Sequence, residues 1–546
     1  MTSRFPVLIL AMAALGVSMR AAPDRPPVVD APAGRVQGAV VDGVRVFKGI
    51  PYALPPVGPQ RWKPPLPVPR WTATRDATAF GPACVQPKPR SESIYTWDLP
   101  ATSEDCLSLN IWAPATARRA SVFVWIHGGA LSSGAGSDRL YDGTQLARRG
   151  VIVVTINYRL GILGFLAHPA LSAESPSNTS GNYGLLDQIA ALRWVKANIG
   201  AFGGNAAKVT IAGESAGGLS VMYLLAAPDA RGLFARAIAQ SAYMISTPEL
   251  RGSPFGDPAA ETAGVYVAGK LGVSDLPALR AMDAAAITNG IAGSGWLPSG
   301  VVDGHVLTRQ LVDTFDRGEQ AKVPVLAGFN TGEIRSLRAL LPPPAADAAA
   351  YEARIRERYA DLAGAFLERY PASHIEESML ATTRDAMYGW TAERLASRQT
   401  SLGVPSFLYV FDHGYAPAEG MGLHAFHASE LPFVFGTADR TPPRWPPVPT
   451  TPVETALSDA MLGYWASFAR DGVPTAPGQP AWKPYGTVRA AMTFADTPVP
   501  GVHALPGMFE LVEQVVCRRR TAGGVPWHWN HGLASPPLPP KVDRCP

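Results

Sequence analysis

Short apolar runs bounded by turn residues recur along the chain and predict buried β-strands. They are Ser121–Ile126, Val151–Asn157, Val209–Ala212, Arg236–Gln240, Val323–Ala327 and Phe407–Phe411. Between them lie longer segments with apolar residues at helical spacing, namely Leu185–Ile199, Tyr351–Tyr370, Arg384–Arg398 and Glu454–Ala469. Strands that alternate with helices predict an α/β fold, in which helices cover both faces of a largely parallel sheet.

The N-terminal and proline-rich segments differ from this pattern. Gly34–Val46 alternates apolar and polar residues, which predicts added antiparallel strands. The 53 prolines concentrate in Leu54–Pro69, Thr441–Pro452 and Pro536–Pro540, which we interpret as stiff surface loops.

Composition narrows the class of protein. With 546 residues, 47% hydrophobic and 17% charged, the chain can bury a large core, and its length alone suggests three or four domains. The formal net charge is only +4 and includes Arg4 and Arg20 near the N-terminus. This charge does not indicate binding to nucleic acid.

Residues 1–22 resemble a secretory signal peptide. Arg4 precedes the apolar run Phe5–Met19, and small residues follow at Ala21 and Ala22, so cleavage after Ser18 or after Ala22 are both open. The run is short for a membrane span, and no other stretch is typical of one. We therefore expect an exported protein, periplasmic or secreted.

Four cysteines form an even set, as expected in an oxidising compartment. Three pairings are possible, and Cys84 with Cys106 and Cys517 with Cys545 would each close a short loop. No Cys/His spacing indicates a zinc site.

The segment Phe202–Gly218 carries the most specific chemical signal. Its Gly-Glu-Ser-Ala-Gly pentapeptide follows the predicted strand Lys208–Ala212 and precedes a predicted helix at Ser220–Ala226. A serine between two small residues at such a junction lies on a sharp turn that exposes its hydroxyl. Ser215 is therefore the candidate nucleophile.

A nucleophilic serine also needs a base, an acid that orients the base, and donors for the oxyanion. His127-Gly128-Gly129-Ala130 directly follows the strand that ends at Ile126, and small residues there let backbone N–H groups approach a substrate oxygen. The N–H of Ala216 is a further expected donor, because it lies at a helix start.

Several motifs resemble those of the type-B carboxylesterases, a family that includes para-nitrobenzyl esterases and cholinesterases. They are Phe47–Ala53, Ser103–Trp112, Gly181–Gln188 and the serine segment itself. The resemblance implies a single α/β-hydrolase domain over residues 23–546, with loop and helix insertions that shape a gorge. It implies no cofactor.

The resemblance also implies the acid of a catalytic triad. In this family a glutamate follows a strand in a Gly-x-Asn-x-x-Glu pattern, and Gly328–Glu333 is similar, which points to Glu333. Asp303 and Asp412 are the rival acids. Asp303 belongs to an Asp-Gly turn, where backbone hydrogen bonding explains it without a catalytic role.

The base is implied by Phe426–Phe435, which is similar to the family's His-x-x-Glu block and points to His427. His424, His427 and Glu430 could alternatively form a metal cluster at helical spacing, but Pro432 argues against a sustained helix. Because a triad explains His427 without a metal, we predict no metal site, and we expect Glu430 to donate or accept supporting hydrogen bonds.

Carried over residue by residue, the resemblance implies oxyanion donors at Gly129, Ala130 and Ala216. It matches Cys84–Cys106 to a family disulfide. Trp97 lies near the position of a cation-binding tryptophan in cholinesterases, but its surroundings favour a structural or acyl-pocket role.

These features predict hydrolysis of small-molecule carboxylic esters through an acyl-enzyme on Ser215. The rate should fall as His427 is protonated, with an apparent pKa of roughly 6 to 7. The alternatives are a non-catalytic binding protein of the same fold, and an amidase or lipase with the same triad. The natural substrate and the oligomeric state are not predicted.

Overall fold

A large mixed sheet organises the chain, as seen in a computed structural model that describes residues 26–89, 91–273, 275–528 and 531–543. The strands of the described residues are β1 Val28–Ala31, β2 Gly34–Gln37, β3 Ala39–Val41, β4 Val44–Pro51, β5 Trp71–Asp76, β6 Ala83–Cys84, β7 Thr102–Ser103, β8 Ser108–Pro114, β9 Ala120–Ile126, β10 Ile152–Ile156, β11 Gly204–Glu214, β12 Arg236–Gln240, β13 Val325–Asn330, β14 Ser406–Phe411, β15 Ala490–Phe494 and β16 Pro498–Val502. Eleven of them form the large sheet, in the order β16-β15-β14-β13-β12-β11-β9-β10-β8-β4-β3.

The centre of this sheet is parallel and buried on both faces. Strands β10, β9, β11, β12, β13, β14 and β15 pair in parallel, whereas β8, β4, β3 and β16 add antiparallel edges. Every residue of β10, β13 and β14 is buried, which explains why these strands appear in the sequence as continuous apolar runs. All six predicted strands are confirmed.

Helices cover the sheet. Within the described residues they are α1 Thr144–Arg148, α2 Gly161–Phe165, α3 Pro169–Glu174, α4 Tyr183–Asn198, α5 Ala216–Ala226, α6 Ala260–Lys270, α7 Leu276–Ala281, α8 Ala284–Gly290, α9 Leu311–Asp316, α10 Ala348–Tyr359, α11 Ala363–Arg369, α12 Ile375–Arg384, α13 Trp390–Ser401, α14 Ala416–Gly420, α15 Leu431–Phe435, α16 Pro452–Asp471 and α17 Met508–Ala522.

Two predicted helices differ in detail. The segment predicted as one helix at Tyr351–Tyr370 is broken by Ala360, whose φ of 46° ends α10 before α11 begins. The helix predicted from Arg384 begins with a π-helical turn, Asp385–Gly389, which joins α12 to α13.

The N-terminal strands are antiparallel in part, as predicted. β1 pairs with β2 and β3 pairs with β4 in this sense, but β2 pairs in parallel with β5 to form a separate small sheet. The expectation was incomplete because alternation reveals a half-buried strand without revealing the direction of its partner.

A disulfide joins Cys84 to Cys106, as predicted. Cys517 is also disulfide-bonded, and its predicted partner, Cys545, lies outside the described residues. The predicted signal peptide, residues 1–22, lies outside them too. Across the part of the chain that the structure describes, no helix has the length and apolar character needed to cross a bilayer.

Candidate active site

Ser215 occupies the turn between the end of β11 and the start of α5. Its φ of 57° and ψ of −122° are strained for a residue with a side chain. The turn is possible because residue 217, two positions after the serine, is glycine. A Cβ added at Gly217 would lie 2.1 Å from the carbonyl oxygen of Ile126. This close packing holds the serine, which is half-buried, at the carboxyl edge of the parallel strands.

The loop after β9 packs directly against this turn. A Cβ added at Gly128 would lie 3.2 Å from Cβ of Ser215, and Gly129 and Ala130 continue the loop with φ of 103° and 54°. The backbone N–H groups of Gly129, Ala130 and Ala216 donate to no other residue among those described. Three backbone donors are thus available close to Ser215.

His127 fixes the shape of this loop. Its Nδ1 lies 2.8 Å from the carbonyl oxygen of Gly128, its ring stacks on Tyr158 at 4.6 Å, and the Tyr158 hydroxyl donates to the His127 carbonyl oxygen at 2.9 Å. Burial lowers the pKa of His127 to about 4, so the ring is neutral at physiological pH. A neutral ring can donate its Nδ1–H to the Gly128 carbonyl.

His427 and Glu333 meet by a buried hydrogen bond. His427 Nδ1 lies 2.5 Å from Glu333 Oε2, while Glu333 Oε1 accepts from the backbone N–H of Asn330 at 2.8 Å. Glu333 follows β13, and the backbone N–H of Gly332 donates to the carbonyl of Ala425 at 2.8 Å, which ties the two loops together. These contacts fix the side of the imidazole that faces the acid.

The opposite side of the imidazole faces Glu214, the residue before Ser215. Glu214 Oε1 lies 3.1 Å from His427 Nε2, although the two residues are far apart in sequence. Sequence patterns did not predict this contact, and its only signal in the sequence is the charged residue inside the pentapeptide.

The charges of this cluster influence one another. Burial raises the pKa of Glu214 to about 8, despite the opposing effect of His427. Burial also lowers the pKa of His427, but Glu214 and Glu333 outweigh it and raise that pKa to about 9. Glu214, like Glu333, thus favours the charged form of His427, and the expected apparent pKa of 6 to 7 stays a prediction.

Glu430 lies behind the triad candidates rather than among them. It accepts hydrogen bonds from Asn330 Nδ2 at 2.7 Å and from Gln240 Nε2 at 2.9 Å. Burial, the largest influence, and Glu333 raise its pKa to about 7. Its hydrogen bonds hold the loop that carries His427 in a fixed position against β12 and β13.

The rival acids have other partners. Asp303 Oδ1 accepts from the backbone N–H groups of His305, Val306 and Leu307, as a turn residue does. Asp412 lies 2.9 Å from Nε2 of His424 and therefore does not pair with His427.

Tyr95 makes a second contact with His427, and no motif in the sequence indicates it. Its hydroxyl oxygen lies 2.9 Å from the carbonyl oxygen of His427 and 2.7 Å from Oγ of Ser336. Its ring packs edge-on against Trp445 at 5.8 Å, and Trp445 packs against Phe426 at 4.8 Å. The loop closed by the Cys84–Cys106 disulfide thus contacts the loop that carries His427.

Comparison with known proteins gives a consistent result. The sequence model described as "Carboxylesterase family" matches residues 25–499. The fumonisin B1 esterase of Sphingopyxis macrogoltabida is 37% identical over 511 residues, covering 88% of this chain and 89% of that protein. The para-nitrobenzyl esterase of Bacillus subtilis (strain 168) is 38% identical over 461 residues, covering 81% and 89%.

Solved structures agree with the sequence comparison. A PNB esterase superposes with a TM-score of 0.78 at 33% identity, covering 89% of this chain and 99% of that one. The architecture is therefore the α/β-hydrolase fold, as predicted.

Proposed function

We propose a catalytic mechanism for this chain, which belongs to the carboxylesterase family and is a carboxylic ester hydrolase. Ser215 is the nucleophile, His427 the general base and acid, and Glu333 the acid that orients the histidine. The hydrogen bond between His427 Nδ1 and Glu333 supports the proposal, because it leaves Nε2 on the side of the ring that faces Glu214, the residue before Ser215.

The first step forms the acyl-enzyme. Ser215 Oγ attacks the ester carbonyl carbon as its proton passes to His427 Nε2, and the carbonyl oxygen becomes an oxyanion. The N–H groups of Gly129, Ala130 and Ala216 stabilise that oxyanion, aided by the N-terminus of α5. His427 then protonates the departing alcohol.

The second step releases the acid product. His427 removes a proton from water, the resulting nucleophile attacks the acyl carbon, and a second oxyanion forms in the same place. Its collapse breaks the bond to Ser215 Oγ, which recovers its proton from His427.

Glu214 controls when Nε2 can act. In the structure Nε2 lies 3.1 Å from Oε1 of Glu214, and this carboxyl group raises the pKa of His427, so the imidazolium must lose its proton before Nε2 can accept one from Ser215. We therefore expect the rate to rise with pH above neutrality.

The substrates are small carboxylic esters. Two of the relatives are named for their action on fumonisin B1 and para-nitrobenzyl esters, so these two are the first substrates to test. We further propose that the protein is exported, since the Cys84–Cys106 disulfide is typical of an oxidising compartment.

Labelling with a fluorophosphonate tests the nucleophile. Intact mass and peptide mapping should find one adduct on Ser215 and loss of nitrophenyl ester hydrolysis. Ser215→Ala should take no label, whereas Ser177→Ala, a change at an exposed serine, should behave as the wild type. Folded wild-type protein that stays unlabelled would contradict the proposal and favour a non-catalytic binding protein.

A further inference from the structure

A cavity of about 570 Å³ lies between α6 and the loop at residues 294–301. Phe165, Tyr266, Trp296 and Leu297 contribute apolar walls, and among the described residues Asp257 is the one charged residue of the lining. The three residues proposed for catalysis do not line it. Its volume falls within the range of small-molecule sites, which combine apolar walls with a few polar groups.

The Asp257 carboxylate has no counter-ion among the described residues. Its Oδ2 accepts a hydrogen bond from Ser246 Oγ at 2.7 Å, and no described Lys, Arg or His forms an ion pair with it. Burial raises the pKa of Asp257, which reflects the cost of a carboxylate among apolar groups. A cation entering the cavity would lower that cost.

His528 and Arg251 have other partners. His528 Nδ1 lies 2.7 Å from Ser246 Oγ, but burial and the charge of Arg519 lower the pKa of His528 to about 3, so it is neutral. Arg251 pairs with Glu261 at 3.1 Å.

The cavity opens to solvent between apolar side chains. Leu297 is 78% exposed and Tyr266 49% exposed. One face of Tyr266 already carries the Lys270 ammonium at 5.2 Å, so Trp296 and Phe165 are the rings available to a further cation. Exposed apolar groups beside a cavity are typical of a binding site.

We propose that this cavity binds a small apolar amine in its protonated form. The ammonium group donates to Asp257, while the apolar body packs against Trp296, Phe165 and Leu297. Aromatic faces add to the attraction because their quadrupole favours a cation. A neutral analogue gains only the apolar contact, and an anionic one is repelled by Asp257.

Calorimetric titration with 4-phenylbutylamine hydrochloride tests the proposal, with 4-phenylbutan-1-ol as the uncharged twin. The amine should bind the wild type more tightly than the alcohol, and Asp257→Asn should weaken the amine about tenfold while leaving the alcohol unchanged. Asp98→Asn removes the same charge from an exposed position and should alter neither.

A second variant leaves Asp257 in place, so the test does not depend on whether Asp257→Asn folds correctly. Leu297→Lys places an ammonium on an exposed side chain at the rim, where it can pair with Asp257 and exclude the amine. We expect it to weaken amine binding about tenfold, with the unfolding temperature and nitrophenyl ester turnover as checks on the fold.

Two results would overturn the inference. One is equal binding of amine and alcohol, or amine binding that neither variant changes. The other is loss of amine binding once Ser215 carries a phosphonate, since that would locate the amine in the catalytic pocket. The titration needs no ester turnover, so it can fail while the proposed mechanism holds, and the reverse is equally possible.

Discussion

Two histidines three residues apart have similar carboxylate neighbours but lie in different regions of the molecule. His427 is buried between Glu333 and Glu214, beside the serine turn. His424 lies at the surface, and its side chain is 34% exposed. Each ring contacts two carboxylates, so carboxylate contacts alone do not identify a catalytic base.

The surroundings of His424 show what differs. Its Nε2 lies 2.9 Å from Asp412, and its Nδ1 pairs with Glu419. The hydrogen bond with Asp412, the largest influence, raises its pKa, as carboxylates do at His427. What distinguishes His427 is that its second nitrogen faces Glu214, the residue that precedes Ser215, whereas both nitrogens of His424 face surface acids.

Replacing each histidine by glutamine should give the largest difference in kcat between the two positions. We expect His427→Gln to lower kcat for a nitrophenyl ester by about 10⁴-fold or more, because it removes the group proposed to take the serine proton. His424→Gln is the matched control and should stay within about twofold of the wild type. Equal losses in both variants would refute the assignment of the base.

The two acids should separate in the same way. Glu333→Gln keeps the shape of the side chain but cannot stabilise an imidazolium, so kcat should fall by about 10²- to 10⁴-fold. Asp412→Asn should change kcat by about twofold at most. A larger effect at Asp412 in steady-state kinetics would make it the better candidate for the acid.

Glu214→Gln should change the pH profile. In the wild type, the rate should rise with pH as His427 loses its proton, with a midpoint above the ordinary value for histidine. Removing the Glu214 charge removes one cause of the raised pKa, so the midpoint of kcat/KM should fall by about one pH unit or more. An unchanged midpoint would mean that Glu214 does not act on the base.

Tyr95→Phe should have the smallest effect of the four. Loss of the hydrogen bond to the His427 carbonyl should lower kcat about three- to tenfold with KM unchanged, since only the position of the base is altered. Tyr464→Phe is a suitable control, because Tyr464 donates to the Pro480 carbonyl at 2.6 Å in another part of the fold. Similar kcat losses in both variants would indicate a general effect on stability.

Much of the fold was predictable because its signals are local. The strands of the parallel core are continuous apolar runs, as at Phe407–Phe411, and burial on both faces requires that composition. The break at Ala360 was not predictable, because the helical spacing continues across it. An alanine does not by itself indicate a positive φ.

The site shows the same division. Ser215 and the HGGA loop could be located from short motifs, since a sharp turn needs small residues at fixed positions. Glu333 and His427 required the family resemblance, because nothing local distinguishes them from Asp412 and His424. Their roles remain predictions until the variants above are assayed.

The sequence by itself predicted the class of fold and the candidate nucleophile and favoured the Cys84–Cys106 pairing, because each depends on residue types at short spacing. Only the tertiary structure brought Glu214 and Tyr95 to the histidine and left Asp257 without a counter-ion among the residues that the structure describes. These contacts join residues far apart along the chain, and burial then sets their charges. Both depend on how the sheet and loops pack in three dimensions.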